Sequence, residues 1–484
     1  MGLLIGDVFR NAARAVPERI AAAHGSASLT FGELDRRSER VAAWLGVGPG
    51  DRVALSSATS LDSVVLFAGL AKVGAVFVPI NPGLTEAEAE DVLAAARPAV
   101  LACDADRVGA GALLADRLSI PVLETTGLAV DDGPLTEEDG PPPAEVQETD
   151  PHVVFFTSGS TGRPKGVVLS HRVNVLRTHP GAMLEGRGAM VCPYPLFHMG
   201  AWTIALQQWQ ARDRVVFVQP DAAAVCEAVR VHGATRLNAI PAVWRRILDH
   251  VERTGTTDDL ASLRFADTGT SVTPIELLDR IAATAPGAAL RVFYGSTEAG
   301  IVASLAHEDI RRKPGSCGLP APWAEVRVDD RGEIWVRGPL LFDGYFDDQE
   351  ATDEALVHGW YHTGDMADVD DEGYLTIVGR TRDVIRTGGE TVAPGEVEAV
   401  LGDLPGVADV AVVGIPDTQW GEVVCAVLVL EPGRTAPDVE AARAHCRGRL
   451  APHKQPRRVA VVDAIPRTAS TQQVQRRLLV ELLT

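Results

Sequence analysis

The feature that most constrains this 484-residue chain is residues 156–166, where hydroxyl-bearing residues alternate with glycines before a single lysine. Apolar runs at residues 153–156 and 167–169 predict a buried strand on each side. Such a loop can turn its backbone N–H groups toward an anion, while its hydroxyls add donors and Lys165 adds a charge. Gly166 stands where the usual P-loop has Ser or Thr. A flexible surface loop is the alternative, but the run as a whole favours a phosphate site of another type.

Length and composition limit the classes of function. The chain is long enough for more than one domain, and 45 basic against 65 acidic side chains give a net charge of −20. An acidic surface disfavours nucleic acid and anionic membranes as partners. The 6 cysteines form no CxxC pair, which predicts buried free thiols without disulfides or zinc. With no signal peptide and no spanning segment in the sequence, we expect a cytoplasmic protein.

Residues 156–166 resemble the signature loop of the adenylate-forming enzymes, which include acyl-CoA synthetases, luciferases and peptide-synthetase adenylation domains. The resemblance extends over nearly the whole chain. It implies a large layered α/β N-terminal domain and a small α+β C-terminal domain, and alternating strand and helix patterns in residues 53–80 also predict a layered α/β domain. It makes Lys165 a catalytic residue and assigns phosphate binding to Thr157, Ser158, Gly159, Ser160, Thr161 and Gly162.

The resemblance also predicts where the domains meet. It implies an AMP-binding and acyl-binding domain at residues 1–379, a hinge at 380–382 and a mobile domain at 383–484. Arg382 occupies the hinge position, and rotation there would exchange an adenylating form with a thioester-forming form. Gly388 and Gly389 would line the pantetheine tunnel of CoA, where missing side chains leave room.

Two motifs place a carboxylate in a glycine turn. Glu298 follows the apolar residues 290–293, and Mg²⁺ usually bridges phosphates through one or two such carboxylates. The resemblance implies that Thr161 and Glu298 bind Mg²⁺ and that Asp365 and Arg380 hold the ribose, although a plain turn aspartate is the alternative for Asp365. It assigns further nucleotide contacts to Tyr294, Gly295, Ser296 and Thr297, and, through a looser match to the adenine-side segment, to Gly269, Thr270 and Ser271.

His198 lies between apolar residues in a loop-like stretch, where a histidine is often a core residue with a satisfied hydrogen bond. The family has an aromatic residue or histidine at the matching place, gating the acyl and pantetheine ends of the site, which favours a catalytic role for His198. Phe197, Trp202 and Trp244 could line an apolar acyl pocket, although such aromatic residues are more often core.

The last motif departs from the family. The family reads Pro-Arg-Thr-x-Ser/Thr-Gly-Lys here, and its lysine contacts the carboxylate and the α-phosphate during adenylation. This chain has one extra residue between Pro466 and Val474, so counting forward puts Gln472 at the lysine position and counting back puts Gln473 there. Glutamine can donate a hydrogen bond but carries no charge. Arg467 or Lys454 could replace the lysine, and the sequence does not decide between these possibilities.

The resemblance and this departure together predict an acyl-CoA ligase-like enzyme that joins an acyl adenylate to CoA but is deficient in making the adenylate. Its substrates would be AMP or acyl-AMP and CoA, with Mg²⁺ if ATP is used, and a companion enzyme would supply the adenylate. Such dependence suits a natural-product pathway. The alternatives are a complete ATP-dependent acyl-CoA ligase, an enzyme that loads a carrier protein, and a non-catalytic adenylate binder.

Overall fold

The computed structural model describes residues 2–130, 145–158, 164–179, 186–271, 273–388, 390–468 and 473–484. The chain packs as two units. The first contains Met1–Pro314, Ala321–Glu325 and Arg337–Tyr361, and the second contains Gly315–Pro320, Val326–Val336 and His362–Thr484. The predicted hinge at residues 380–382 therefore lies inside the second unit, and its function as a hinge stays a prediction.

The α-helices, numbered along the chain, are α1 Ile5–Ala15, α2 Phe31–Leu45, α3 Leu61–Val73, α4 Glu86–Ala96, α5 Val108–Leu118, α6 His171–Arg177, α7 Met199–Gln210, α8 Ala222–His232, α9 Pro241–Thr254, α10 Ile275–Thr284, α11 Gln349–Ala355, α12 Pro394–Leu401, α13 Val439–Cys446 and α14 Arg476–Leu483. Local sequence explains several of their ends. At α2, the Thr30 side chain accepts from the Glu33 N–H, and the Glu33 carboxylate accepts from the Thr30 N–H. Gly46 then ends the helix in a left-handed conformation.

The first strands are β1 Ile20–His24, β2 Ala27–Thr30, β3 Arg52–Ser56, β4 Val76–Ile80, β5 Val100–Cys103, β6 Val122–Glu124, β7 Pro151–Ser158, β8 Pro164–Ser170, β9 Met190–Cys192, β10 Val215–Phe217, β11 Arg236–Asn238, β12 Phe265–Gly269, β13 Ala289–Ser296 and β14 Gly300–Leu305. They are followed by β15 Leu319–Pro320, β16 Glu325–Val328, β17 Glu333–Arg337, β18 Gly344–Tyr345, β19 Leu356–Val357, β20 Trp360–Val369, β21 Leu375–Arg380, β22 Ile385–Thr387, β23 Glu390–Val392, β24 Val407–Asp417, β25 Gly421–Leu430 and β26 Arg458–Val461.

The first unit is organised by two sheets of its described residues. One has the strand order β14-β13-β12-β11-β9-β10-β1-β2, and the other has the order β18-β8-β7-β4-β3-β5-β6. Most neighbours are parallel, as expected when helices connect successive strands. The strands β14, β2, β18 and β8 run antiparallel to their neighbours. The predicted phosphate loop lies between β7 and β8 in the sequence, with its two ends in these strands.

Aromatic side chains fill the core between these elements. The Phe67 ring stacks on Trp202 with centroids 4.1 Å apart, and it meets Phe77 edge to face at 5.3 Å. Phe9 of α1 packs against Trp209 of α7 at 5.1 Å. All five side chains are buried, so α1, α3 and α7 share one core with β4.

The second unit contains a sheet of order β23-β22-β25-β24, with β26 parallel to β25, and most residues of a sheet of order β16-β17-β20-β21. Alternate residues of β25 face different clusters, as the two-residue period of a strand requires. Val424 packs with α12 and α13, whereas Val423 packs with Leu479 of α14. All residues of both clusters have sequence positions of 385 or higher. The predicted large α/β domain and smaller α+β domain are thus confirmed as a fold class.

The cysteines match the prediction from their spacing: all of Cys103, Cys192, Cys226, Cys317, Cys425 and Cys446 are buried and free. Among the residues that the structure describes, no helix is long and apolar enough to cross a membrane.

Candidate active site

Glu298 lies at the tip of the β13–β14 hairpin, and glycines make this turn possible. A Cβ atom on Gly295 would lie 2.1 Å from the Gly300 carbonyl oxygen, so no side chain fits there. The Ser296 hydroxyl accepts a hydrogen bond from the Ala299 N–H at 3.1 Å and closes the turn. The predicted residues Tyr294, Gly295, Ser296, Thr297 and Glu298 are therefore brought together at one end of the sheet.

Arg177, a residue that the sequence analysis did not single out, fixes the backbone of this turn. Its guanidinium donates to the carbonyl oxygens of Thr297 at 2.8 Å, Glu298 at 2.7 Å and Leu340 at 2.8 Å. The side chain is buried, and burial lowers the pKa of Arg177 to about 10. It remains charged at neutral pH and strengthens these hydrogen bonds. The only sequence signal was an arginine at the end of the short helix α6.

Tyr345, also missed from sequence, lies beside two predicted functional side chains. Its hydroxyl donates to Glu298 Oε1 at 3.2 Å, and Lys165 Nζ lies 5.1 Å from its ring centroid. Within the described residues, Glu298 Oε2 accepts no hydrogen bond from a protein donor. One carboxylate oxygen is therefore held and the other is available to a ligand.

The described part of the phosphate loop is its two ends. Thr157 is opposite Lys165 in the β7–β8 ladder, and its hydroxyl donates to the Lys165 carbonyl at 3.4 Å. A Cβ atom on Gly166 would lie 2.8 Å from Val154 and 3.1 Å from Phe346, so close packing requires glycine. Ser158 ends β7. The predicted residues Gly159, Ser160, Thr161 and Gly162 lie outside the described residues, and so does Thr161 as a metal ligand.

The loosely matching adenine-side segment lies at the end of β12. A Cβ atom on Gly269 would lie 2.5 Å from the Phe293 carbonyl oxygen, which makes glycine necessary there. Thr270 has a φ of 67°, a left-handed conformation that is unusual for a residue with a branched side chain. Thr270 and Ser271 are both exposed. The structure thus presents the predicted residues at a strained strand end, next to β13.

His198 caps the N-terminus of α7, where its Nδ1 accepts a hydrogen bond from the Gly200 N–H at 3.0 Å. Burial lowers the pKa of His198 to about 4, so the imidazole is neutral at pH 7. Its ring stacks on Tyr194 at 5.8 Å, and the Tyr194 hydroxyl donates to Asn238 Oδ1 at 2.8 Å. The alternative to a catalytic role for His198 was a core histidine with a satisfied hydrogen bond. The observed geometry is compatible with both roles.

The three proposed acyl-pocket residues differ in exposure. Phe197 is partly buried. Trp202 is only 2% exposed and donates to the Leu196 carbonyl, while Trp244 is fully buried and donates to the Asp267 carbonyl at 3.0 Å. Both tryptophans are core residues, and a further role in an acyl pocket stays a prediction.

Asp365 and Arg380 come together in the second unit. They are opposite residues of the β20–β21 pair, and Arg380 Nε lies 3.1 Å from Asp365 Oδ1. Asp365 is buried, whereas the Arg380 side chain is 38% exposed. The two side chains are therefore held next to each other, as a joint ribose site would require.

The remaining predicted residues of the second unit lie near the β22–β23 hairpin and before it. Arg382 is exposed, with Nε 3.8 Å from Asp383. Gly388 has a φ of 61°, and a Cβ atom there would lie 2.7 Å from the Trp420 ring. No side chain fits at this position. Gly389 lies outside the described residues.

In the region where the sequence predicts glutamine in place of lysine, the described residues on the two sides pair with each other. The Thr468 N–H donates to the Gln473 carbonyl at 2.8 Å, and Arg467 is opposite Val474. Gln472 lies outside the described residues. Both candidate replacement cations already have carboxylate partners. Arg467 Nη2 lies 2.8 Å from Asp409 Oδ1, and Lys454 Nζ lies 2.5 Å from Glu396 Oε2.

The residues present fit a Mg²⁺ ion that is shared with phosphates. Among the described residues no protein donor contacts Glu298 Oε2, and Tyr345 lies beside both Glu298 and Lys165. Where the structure describes the chain, no group of three or more His, Cys, Asp or Glu could hold a metal by itself. Mg²⁺ needs no such cage, since it usually takes one or two carboxylates and completes its shell with water and substrate oxygens.

The chain resembles known proteins over its full length. The family model of the AMP-binding enzymes matches residues 9–346, and that of the AMP-binding enzyme C-terminal domain matches residues 396–472. A feruloyl-CoA synthase of Amycolatopsis sp is 36% identical over 95% of both chains, and an indoleacetate–CoA ligase of Aromatoleum aromaticum is 33% identical over 94% and 93%. The ATP-bound crystal structure of MatB from Rhodopseudomonas palustris has a TM-score of 0.87 at 26% identity, covering 99% and 98%.

Proposed function

Because the chain belongs to the AMP-binding enzyme family and is an enzyme of the acyl-CoA ligase type, we propose that it converts an acyl adenylate and CoA into acyl-CoA and AMP. We propose further that it forms the adenylate from free acid and ATP poorly or not at all. A companion adenylating enzyme would then supply its substrate.

The ion pairs of Arg467 and Lys454 carry this proposal. Negative charge builds on the phosphate oxygens when a carboxylate attacks ATP, and Gln473 or Gln472 offers no positive charge there. Loss of one preorganised donor at such a site typically costs about 10²–10³ in rate. Arg467 and Lys454 are engaged by Asp409 and Glu396, which supports the view that neither replaces the lysine.

The thioester-forming step uses other groups, and these are retained. Asp365 would accept the ribose hydroxyls with Arg380 beside it, and Lys165 and the loop hydroxyls would bind the phosphate. The CoA thiolate sulfur attacks the acyl carbon, the bond to the phosphate oxygen of AMP breaks, and the thiol proton passes to solvent. Lys165 would stabilise the leaving phosphate electrostatically. When ATP is bound, Mg²⁺ held by Glu298 would neutralise charge on its phosphates.

A complete ATP-dependent ligase is the second candidate, and the relatives favour it. Proteins named feruloyl-CoA synthase and indoleacetate–CoA ligase are 36% and 33% identical to this chain over nearly its whole length. Their names also suggest aromatic acids as the first substrates to test.

Two reactions of the unmodified protein separate these candidates. One contains ferulic or indoleacetic acid with ATP, Mg²⁺ and CoA, and the other contains the corresponding acyl-AMP with CoA. We expect acyl-CoA at an enzymatic rate only from acyl-AMP, with pyrophosphate release near background in the first reaction. Equal rates from both substrates would establish the complete ligase. The Asp365→Ala variant is the control. If it forms acyl-CoA as fast as the unmodified protein, the reaction does not depend on the bound adenylate.

A further inference from the structure

Tyr345 contacts the two side chains of the first unit that would act on nucleotide phosphates. Its hydroxyl donates to Glu298 Oε1 at 3.2 Å, and its ring lies 5.1 Å from Lys165 Nζ. The first contact is a hydrogen bond to a carboxylate, and the second is within the range of a cation–π interaction. One side chain therefore links the exit of the phosphate loop to the turn that carries Glu298.

The surroundings of Tyr345 fix its position. Its backbone pairs with Val167 in the β18–β8 ladder, two residues beyond Lys165. Its N–H donates to the Thr352 hydroxyl at 2.9 Å, and its ring meets Phe342 at 4.9 Å with an interplanar angle of 63°. The tyrosine is therefore anchored by its backbone and by its ring, so its hydroxyl has a defined direction.

The Glu298 turn is anchored independently of Tyr345. Arg177 holds the Glu298 carbonyl, and the Phe342 N–H donates to the same oxygen at 2.7 Å. These contacts fix the backbone but leave the carboxylate free to rotate about its side-chain bonds. The Tyr345 hydroxyl is the donor that sets the carboxylate orientation among the described residues.

We propose that Tyr345 is a positioning residue for the phosphate end of the site. Its hydroxyl holds Glu298 Oε1 so that Oε2 faces a divalent cation, and its ring holds the Lys165 ammonium beside the phosphates. The inference rests on the proposed function, which assigns Glu298 to the cation and Lys165 to phosphate.

The phenol stays protonated in this place. Burial and the neighbouring Glu298 raise the pKa of Tyr345 well above its usual range. It is therefore a hydrogen-bond donor to the Glu298 carboxylate near neutral pH.

Two variants of the full chain separate the hydroxyl from the ring. Tyr345→Phe keeps the ring, and we expect about a tenfold loss of affinity for ATP in the presence of Mg²⁺, the effect of one hydrogen bond to a charged group. ATP affinity in EDTA should not change. Tyr345→Leu removes the ring as well, and it should also weaken ATP binding in EDTA. Calorimetry gives both affinities, and Tyr374→Phe, at a buried tyrosine of the second unit, is the matched control.

A double-mutant cycle distinguishes positioning from a general structural effect. If the hydroxyl acts through the Glu298 carboxylate, Tyr345→Phe should have no further effect on Mg²⁺-dependent ATP binding in a Glu298→Gln background. Additive losses of affinity in the double variant would overturn the inference. An unchanged Mg²⁺·ATP affinity in Tyr345→Phe, with a normal urea midpoint, would also overturn it. The inference would also be overturned if the unmodified protein bound ATP with the same affinity in Mg²⁺ and in EDTA. The acyl-AMP and CoA assay needs no Mg²⁺·ATP and tests the proposed function separately.

Discussion

Arg467 donates from one guanidinium nitrogen to both carboxylate oxygens of Asp409, at 2.8 and 3.0 Å. Asp409 lies in β24, and Arg467 lies opposite Val474, close in sequence to the glutamines. Arg467 therefore already has a carboxylate partner, which supports the proposal that it does not replace the lysine.

Gln473→Lys should raise pyrophosphate release from free acid and ATP at least about tenfold, because it returns a charge that is typically worth 10²–10³ in rate. Gln472→Lys tests the alternative alignment, in which Gln472 occupies the lysine position. Gln475→Lys adds the same charge at an exposed position and should have no effect. A pyrophosphate assay without CoA measures the step. Background release in both test variants would count against the missing charge as the cause of a deficiency in adenylation.

Asp365→Ala should weaken AMP binding by about 10- to 100-fold, since ribose hydroxyls lose a charged acceptor and Arg380 loses its partner. Asp368→Ala, at an exposed position of the same strand, is the control. Isothermal calorimetry with AMP gives the affinities directly. Equal affinities for the unmodified protein and Asp365→Ala would remove the ribose assignment.

Arg177→Met should destabilise the first unit by about 3 kcal/mol, because the carbonyls of Thr297 and Leu340 lose the Arg177 donor and the Glu298 carbonyl keeps only the Phe342 N–H. Mg²⁺-dependent ATP binding should fall with it, since Glu298 is no longer held. Arg172→Met on the same helix is the control, with a side chain that is 54% exposed. Urea unfolding compares the two, and similar midpoints would contradict the anchoring function of Arg177.

Acid should unfold the protein through a buried histidine pair. The rings of His152 and His171 lie 4.8 Å apart, and neither residue is exposed. Burial lowers the pKa of His171 to about 4, and burial together with repulsion from His171 lowers the pKa of His152 well below its usual range. Both rings are neutral in the fold, but histidines of the unfolded chain take up protons below about pH 6.5.

The stabilising contribution of the pair is therefore present above about pH 6.5 and is lost as the pH falls toward 4. Two protons taken up on unfolding correspond to about 2.7 kcal/mol lost per pH unit near pH 5. Urea unfolding between pH 7 and pH 4.5 measures this slope. His171→Asn should reduce it by one proton, or about 1.4 kcal/mol per pH unit, because His198 and His152 still contribute. His358→Asn, at an exposed turn residue with a φ of 52°, should leave it unchanged. A slope unaffected by His171→Asn would refute the assignment.

The sequence by itself determined the local elements of this protein. Glycines and hydroxyls between two apolar runs indicated the β7–β8 turn, and Gly295 next to Glu298 indicated a carboxylate in a tight turn. Both signals are short-range, because strand alternation and turn chemistry depend on neighbours within a few residues. The glutamine at the lysine position stays a prediction from the motif and its residue count.

Only the tertiary structure decided which side chains support the site. Arg177 reaches a carbonyl 163 positions away, Tyr345 reaches a carboxylate 47 positions away, and Arg467 pairs with a carboxylate 58 positions away. No periodicity or turn signal encodes such contacts, because they depend on how strands distant in sequence are placed side by side. Trp202 is another case: its large apolar ring could favour a pocket or a core, and only the stacking on Phe67 places it in the core.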